Sequence, residues 1–272
     1  MRGRDAADIV GQPMIRSVRR VMSRIRGASR TAMTGLRSAR ARLPFDTALG
    51  AFNVGQIPVS EEVIREATVL YDRNIAAHLH SRAAIMSDDG CRFYAVRPVG
   101  WPSDICWWSA DDEATFSKFQ RLFDQVQPAL ALHGLCPDGA RLYSGFFVTR
   151  SRCSQAALHV DYVDECGASA YTLMTPLDDW QGPAGQLIYR DVFGRLRSYR
   201  YKKGSAIVLG ARFQHGTAPC ADVPRAFLCF TFGTSDPRAW PHIQKTILEQ
   251  GRFLRQPDGA FLHQTDRPDF TY

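Results

Sequence analysis

Apolar residues repeat at helical spacing in two segments of the first half of the chain. Ser60 is followed by two glutamates, which is typical of a helix N-terminus, and the pattern predicts a helix from there through about Met86. A second helix is predicted to begin after Asp112 and to be disturbed by Pro128, because an internal proline removes a backbone donor. Its apolar side chains recur three or four positions apart: Phe116, Phe119, Phe123 and Val126. This stripe is typical of a helix face that packs on a core.

Short β-rich runs replace the helical pattern beyond residue 140. Glycine, proline and aspartate separate eight candidate strands: 141–149, 156–162, 169–177, 185–190, 195–202, 205–209, 212–217 and 225–233. Because no helical segment lies between these strands, they favour an antiparallel barrel or a two-sheet jelly roll over a βαβ fold.

Two further elements are predicted on either side of this region. Residues 91–99 have the composition of a short strand. Asp236 and the proline that follows it predict a C-terminal helix near residues 239–253. Helices packed outside the barrel would complete one domain.

The positive charge of the chain is concentrated in its first 43 residues. The whole chain has a net charge of +7, but residues 1–43 contain eleven arginines and two aspartates, so the remainder is slightly acidic. We therefore divide the chain into a basic leader, residues 1–43, and a single domain, residues 44–272, with its β-core at about 140–233. Four apolar residues of the leader recur at helical spacing between arginines: Ile15, Val18, Met22 and Ile25.

The function of the leader has three interpretations. An Arg-rich, acid-poor amphipathic segment is typical of an organellar transit peptide, but a solvated disordered arm has the same composition. An arm that binds a membrane surface or nucleic acid is the third alternative. Because the basic charge lies outside the β-core, it does not indicate a nucleic-acid-binding domain, and a nucleic-acid partner is disfavoured.

Cysteine usage and hydropathy exclude other classes. The seven cysteines form no C-x-x-C pair, which argues against a disulfide framework and a thiolate zinc site. No apolar run approaches the ~20 residues of a membrane-spanning helix. The expected location is the cytoplasm, or a mitochondrion or plastid if the leader is a transit peptide.

The candidate chemistry lies on the predicted strands. His159 and Asp161 are two positions apart, so on a strand their side chains would project from the same face. His215, on a later strand, would complete two imidazoles and one carboxylate, which is the ligand composition of non-haem Fe(II) sites. A packed histidine and a turn aspartate are the structural alternatives. Arg225 follows His215 by ten residues.

This arrangement resembles the Fe(II)/2-oxoglutarate-dependent dioxygenase superfamily, and its prolyl-hydroxylase-like members most. The motif residues are LHVDY, FQHGTAPC and then PRAFLCF, with 53 residues between Asp161 and His215. The segments YTLMTPLDDW and GPAGQLIYRD are similar to the hydrophobic strand, Asp-Trp turn and Gly-Gly-x-Leu strand of that group. The chain departs from the pattern where Gly182-Pro183-Ala184-Gly185 replaces an adjacent glycine pair.

The resemblance implies a fold and a set of site residues. The fold is mainly β with flanking α: a double-stranded β-helix (jelly-roll or cupin-like) barrel supported by N-terminal and C-terminal helices. Fe(II) would be held by His159, Asp161 and His215, and Arg225 would bind the far carboxylate of 2-oxoglutarate. Tyr143 is a candidate hydroxyl donor to the same co-substrate, with a packed core tyrosine as the alternative. O2 would be the second co-substrate, with ascorbate as a reductant.

The reaction implied is hydroxylation of a C–H bond coupled to decarboxylation of 2-oxoglutarate to succinate and CO2. The substrate is expected to be a small metabolite or amino-acid-like molecule. A peptidyl (prolyl-type) hydroxylase and a metal-binding cupin-like protein without oxygenase activity are the alternatives. Related halogenases have a small residue where Asp161 stands, so its carboxylate favours hydroxylation or another oxidation.

Two segments near these motifs have open interpretations. The tryptophans of the segment before the barrel could line an apolar or peptide-binding cleft or pack in the core: Trp101, Trp107 and Trp108. Four residues alternate along one face of the fifth predicted strand: Arg195, Arg197, Tyr199 and Tyr201. This face is either exposed to solvent or supplies cations for a carboxylate-bearing substrate.

Overall fold

The computed structural model describes residues 53–79, 84–86, 89–98, 100–136 and 139–265. Within these ranges the α-helices are α1 (Glu61–Asn74), α2 (Glu113–Leu132) and α3 (Trp240–Gln250), and 3₁₀ turns lie at Ala76–His78, Asp164–Cys166 and Pro237–Ala239. The strands are β1 (Val54–Pro58), β2 (Ala84–Met86), β3 (Arg92–Val96), β4 (Cys106–Ala110), β5 (Arg141–Arg150), β6 (Ala170–Pro176), β7 (Leu187–Arg190), β8 (Leu196–Tyr199), β9 (Ser205–Leu209), β10 (His215–Thr217), β11 (Arg225–Gly233), β12 (Phe253–Arg255) and β13 (Phe261–His263).

Two antiparallel sheets form the barrel. The larger has eight strands in the order β1-β9-β6-β11-β5-β4-β3-β2, and the smaller has three in the order β10-β7-β8. Neighbouring strands are distant in sequence: β11 pairs with β5 on one side and β6 on the other. This crossing connectivity is that of a double-stranded β-helix rather than of a series of hairpins.

The inner faces of the two sheets enclose an apolar core. The smaller sheet and its flanks contribute Leu187, Tyr189, Tyr199 and Phe213, and the larger sheet contributes Phe146, Val148, Ile207, Phe227 and Cys229. Alternate residues of each strand therefore face the barrel interior, as the period of a pleated strand requires.

The helices α1 and α2 cover the outer face of the larger sheet. Their apolar stripes join a second core with Phe147, Leu173 and Phe230 of that sheet. Ser60 and Asp112 cap the two helices by accepting from the backbone N–H groups three residues ahead, at 3.3 and 2.8 Å. The predicted N-terminal boundaries of both helices are confirmed.

The predicted ends of these helices are wrong. Helix α1 ends at Asn74, followed by a 3₁₀ turn and strand β2, instead of continuing to Met86. Helix α2 continues through Pro128 to Leu132. A proline removes one backbone donor and crowds the carbonyl four residues earlier, but the buried Val126 and Leu130 keep this part of α2 packed on the core.

The strand predictions are confirmed except at one place. Seven of the eight runs beyond residue 140 contain a strand, as does 91–99, and helix α3 forms as expected. The run 156–162 is wrong as a strand, because its backbone makes a single bridge, between His159 and His215. Five strands were not predicted: β1, β2, β4, β12 and β13. The expected fold class, mainly β with flanking α, is confirmed.

Other expectations about the chain lie partly or wholly beyond these ranges. The basic leader, residues 1–43, and its amphipathic helix lie outside the described residues. The boundary of the single domain at residue 44 stays a prediction for the same reason. Among the helices that are described, none combines the length and the hydropathy needed to cross a bilayer.

Candidate metal centre

The smaller sheet and the loop that follows β5 place the predicted ligands side by side. His215 is the first residue of β10, and His159 lies in the loop opposite it. Their backbones exchange two hydrogen bonds, from the N–H of each residue to the carbonyl of the other, both 2.9 Å long. His159 and Asp161 therefore converge although the segment that carries them is not a strand.

The residue after His215 has to be a glycine for this approach. A Cβ atom at Gly216 would lie 2.7 Å from the carbonyl oxygen of Ala157, closer than real Cβ atoms come to backbone. The absence of a side chain at this position lets the ligand-bearing loop lie against β10.

Three ligand atoms meet at the barrel end. Asp161 Oδ1 is 3.5 Å from His159 Nε2 and 3.8 Å from His215 Nε2. One donor atom from each residue lies within 4.8 Å of the other two. The side chain of His215 is 8% exposed and that of His159 is 33% exposed, so the cluster is buried on one side and open on the other.

Both imidazoles are oriented by their second nitrogen. His159 Nδ1 lies 3.1 Å from the carbonyl oxygen of Ala157, and His215 Nδ1 lies 3.0 Å from that of Phe213. Because a carbonyl oxygen only accepts, each Nδ1 is the donor of its hydrogen bond, and each Nε2 faces the space beside Asp161. Burial lowers the pKa of His215, although the Asp161 carboxylate opposes this, and so favours its neutral, metal-binding form.

Two arginines lie next to this cluster, inside the barrel. Arg225 at the start of β11 pairs directly with Arg150 at the end of β5, so their side chains project from the same face. Arg150 is 8% exposed; it donates to Thr217 Oγ1 and to the Gly185 carbonyl at 3.0 Å. The Arg225 guanidinium lies 4.5 Å from the centre of the Trp180 ring. The Nε atoms of both arginines are buried without a hydrogen-bond partner, and no carboxylate of the described chain pairs with either.

The arginine pair and the ligand cluster are close together. Thr217, which binds Arg150, is two residues after His215 on the same face of β10, a separation of ~6.6 Å along a strand. Both groups act on the buried Cys229: burial and the Asp161 carboxylate raise the pKa of its thiol, and Arg150 opposes this. This distance between the ligand cluster and the arginine pair suits a short dicarboxylate, with one carboxylate at the cluster and the other at the arginines.

Arg150 was missed by the sequence analysis. It ends a predicted strand in the polar sequence TRSR, where an arginine is ordinarily exposed. The signal that could have found it is the strand period, because Phe146, Val148 and Arg150 occupy the same face.

Tyr143 lies elsewhere. It is seven residues before Arg150 on β5, which places the two Cα atoms about 23 Å apart. Its hydroxyl donates to the carbonyl of Thr234 at 2.6 Å and lies 3.3 Å from that of Ser169. The ring packs with Tyr162 and with residues of α3. These contacts correspond to the alternative of a packed core tyrosine.

The exposed side of the cluster is bordered by Trp101. Its ring meets His159 edge-on, with centroids 4.9 Å apart, and is 38% exposed. Trp107 and Trp108 are buried in β4, as packing residues. On the fifth predicted strand, Tyr199 and Tyr201 are buried, whereas Arg195 and Arg197 are exposed. The predicted solvent-exposed face is therefore confirmed for the two arginines and wrong for the two tyrosines.

These residues fit a non-haem metal ion. Non-haem Fe(II) sites are typically formed by two imidazoles and a carboxylate on one side of the metal. The open side of the site leaves the other coordination positions free for co-substrates. His159, Asp161 and His215 would hold the metal. The unpartnered Nε atoms of Arg150 and Arg225 fit an anionic co-substrate.

Comparison with known proteins supports the fold. No protein-family model matches the chain, and no curated protein matches its sequence. AviO1 from Streptomyces viridochromogenes Tue57 is 16% identical, with a TM-score of 0.51, over 74% of this chain and 95% of that one. SnoN, a non-haem α-ketoglutarate-dependent epimerase of nogalamycin biosynthesis, is 13% identical, with a TM-score of 0.50, over 74% of this chain and 83% of that one.

A further match is HygX from Streptomyces hygroscopicus, solved with nickel and 2-oxoglutarate, at 16% identity and a TM-score of 0.48, over 66% of this chain and 82% of that one. At these identities the likeness shows the fold. The fold and the ligand cluster therefore define the class of this protein: a double-stranded β-helix protein with the ligand set of a non-haem metal site. The fold implied by the resemblance to the 2-oxoglutarate-dependent dioxygenases is confirmed.

Proposed function

We propose that this protein is an Fe(II)- and 2-oxoglutarate-dependent oxygenase. The observation that carries the proposal is the combination of the His159, Asp161 and His215 cluster with the pair Arg150 and Arg225. A metal-binding cupin-like protein without oxygenase activity needs only the ligand cluster. The buried Nε atoms of the two arginines, which have no hydrogen-bond partner, are accounted for by a dicarboxylate co-substrate.

Each group has a distinct task in this reaction. Fe(II), with 2-oxoglutarate and O2, would supply the oxidising chemistry, with release of succinate and CO2. His159, Asp161 and His215 hold the metal, and the backbone bonds of the two Nδ1 atoms keep the imidazoles in the ligating tautomer. The two guanidinium groups bind and orient the far carboxylate of 2-oxoglutarate. The aromatic rings of Trp180 and Phe227 exclude water from that charge pair.

The favoured reaction is hydroxylation of a C–H bond of a small metabolite or amino-acid-like substrate. Support comes from SnoN, which has a similar fold and acts in the biosynthesis of a small molecule. Because SnoN is an epimerase, a reaction at a C–H bond other than hydroxylation is the second candidate. A peptidyl substrate is less favoured.

The test is an anaerobic titration of the protein with Fe(II) and then 2-oxoglutarate. Chelation of the keto acid by the metal gives a visible charge-transfer band, and we expect this band in the wild-type protein. Asp161→Ala should abolish it by weakening metal binding, because one of three ligands is lost. Asp179→Ala, which removes an exposed acid outside the cluster, is the matched control and should leave the band unchanged.

The outcomes separate the candidate functions. A metal-loaded protein without the band would contradict the proposal and support the cupin-like alternative. A band that persists unchanged in Asp161→Ala would remove this residue from the ligand set. A band followed by succinate release in air would justify screening small substrates.

A further inference from the structure

The hairpin of β7 and β8 carries a concentration of positive charge on the surface. We call residues 190–203 the basic hairpin. Six of its side chains are cations, and all six residues are exposed: Arg190, Arg195, Arg197, Arg200, Lys202 and Lys203. Its one acid, Asp191, is 8% exposed and pairs with Arg197 at 3.0 Å. The hairpin has a net charge of +5, whereas residues 44–272 as a whole have −2, so the rest of this region is acidic.

The tip of the basic hairpin holds an aromatic side chain out in solvent. Phe193 is 80% exposed. Asp191 Oδ1 accepts hydrogen bonds of 2.9 Å from the N–H groups of Phe193 and Arg195, and Arg190 donates to the Gly194 carbonyl at 2.8 Å. Gly194 has a φ of +76°, which its lack of a side chain permits. Hydrogen bonds of both Arg190 and Asp191 therefore fix the conformation of the turn, and Phe193 projects from this ordered tip.

A second apolar side chain extends this surface along the edge strand. Leu196 of β8 is 57% exposed, and Arg200 lies four residues further along the hairpin. Charged residues on an edge strand ordinarily protect it against pairing with another strand. That protection does not account for an exposed phenylalanine and leucine, which lower solubility unless a partner covers them.

We propose that the basic hairpin docks on an anionic lipid surface, with Phe193 and Leu196 inserted at the headgroup level. Apolar and aromatic side chains flanked by Lys and Arg are the composition of peripheral membrane-binding elements. The cations interact with the anionic headgroups. Phe193 and Leu196 become buried in the apolar part of the bilayer, which a soluble phosphate ligand does not provide. A single-stranded nucleic acid would instead favour several aromatic side chains for base stacking, and Leu196 cannot stack.

The basic hairpin lies close to the metal centre, so that docking on a membrane would bring the metal centre near the lipid surface. Tyr189 of β7 pairs directly with His215, and Phe193 follows four residues later. An extended chain of that length spans at most about 14 Å. A membrane bound at the tip would therefore lie close to the ligand cluster. The docking itself does not depend on the chemistry proposed for that cluster.

The test uses the full chain and sedimentation with vesicles. One set contains phosphatidylcholine with phosphatidylserine, and the other phosphatidylcholine alone, each at low and at high salt. Because the Arg-rich leader also carries positive charge, the hairpin variants decide the result. Phe193→Ser should weaken binding to the anionic vesicles by at least about ten-fold. Arg200→Glu should weaken it by at least about five-fold, and high salt should weaken wild-type binding too.

Two exposed residues of α2 provide matched controls. Leu132 is 87% exposed and Arg121 is exposed, both away from the hairpin. Leu132→Ser and Arg121→Glu should bind as the wild-type protein does, and all four variants should keep the wild-type melting temperature.

Three results would overturn the proposal. The first is no binding of the wild-type protein to anionic vesicles, and the second is equal binding by the wild-type protein and both hairpin variants. The third is binding of an oligonucleotide, but not of vesicles, that is lost in Phe193→Ser, which would identify a nucleic-acid surface instead.

Discussion

At the scale of single residues, the two arginines opposite each other in the barrel carry the most specific expectation. Replacing Arg150 or Arg225 by Ala should raise the dissociation constant of 2-oxoglutarate by about ten- to a hundred-fold, because each removes charge-assisted hydrogen bonds in a water-poor site. Calorimetry with the metal-loaded protein measures this. Metal affinity, titrated separately, should be unchanged, since neither guanidinium is a ligand.

The conservative variant separates charge from geometry. Arg150→Lys keeps the charge but loses the planar fork that reaches both Thr217 and the Gly185 carbonyl, so it should recover only part of the affinity. Arg121→Ala, on the exposed face of α2, is the control and should bind 2-oxoglutarate as the wild-type protein does. Unchanged affinity in Arg150→Ala would assign this arginine to packing against Phe227.

Sequence alone could predict the candidate ligands and, through the resemblance, Arg225, but not the pairing of Arg225 with Arg150. His159 and Asp161 are neighbours in the chain, and their spacing is visible without a fold. Arg150 and Arg225 are 75 positions apart and are opposite each other only through the register of β5 and β11. The hydrogen bond of Arg150 to Thr217 also depends on how the smaller sheet closes over the larger one. Such long-range contacts leave no local pattern.

At the scale of elements, the segment 101–104 is held against the ligand-bearing loop by Asp104. Its carboxylate accepts hydrogen bonds from the N–H groups of Ser151 and Arg152, at 2.9 and 2.8 Å, and from the Ser151 hydroxyl. Partial burial raises the pKa of Asp104, but these hydrogen bonds outweigh it, so that its pKa lies below the ordinary 3.8. The anchor holds Trp101 at the edge of His159.

The shift of Asp104 gives a pH-dependent expectation. Because the pKa is lower in the folded protein, the charge stabilises the fold above pH 3.8, and this contribution is lost as the pH falls through the folded pKa. Asp104→Ala should lower the free energy of unfolding by roughly 0.5–1.5 kcal/mol at neutral pH, discounted for solvent exposure. Urea titrations from pH 7 to acid measure it.

The isosteric variant is the control for this anchor. Asp104→Asn keeps an acceptor but has no charge, so its stability deficit against the wild-type protein should shrink as the pH falls below 3.8. A deficit that is the same at every pH would show that the carboxylate charge contributes nothing to the anchor.

Elements were predicted where a period was visible and missed where tertiary contacts decided the conformation. Strand β4, CWWSA, is buried on both faces, so no alternation marks it. The run 156–162 alternates, but beyond His159 its carbonyls accept from distant groups: Asp161 from the Thr246 hydroxyl and Tyr162 from the Arg212 N–H. Those partners replace the ladder of a neighbouring strand, and the sequence contains no sign of them.

At the scale of the whole molecule, the excess positive charge and the folded domain lie in different parts of the chain. Within the part of the chain that the structure describes, the first buried residues are Asn53, whose side-chain amide donates to the Ala211 carbonyl at 2.6 Å, and Val54. The leader of residues 1–43 contains eleven arginines and only two aspartates, and this high net charge opposes burial in a core. The domain boundary proposed at residue 44 follows from this contrast.

Removal of residues 1–43 tests that boundary. The shortened chain should keep the free energy of unfolding and the 2-oxoglutarate affinity of the full chain, because no buried residue of the described barrel precedes Asn53. Its net charge changes from +7 to −2, so binding to a cation exchanger at neutral pH should be lost. Chemical denaturation, calorimetry and ion-exchange chromatography measure the three quantities. A fall in stability of several kcal/mol would mean that part of the leader packs on the barrel, and the domain would then begin before residue 44.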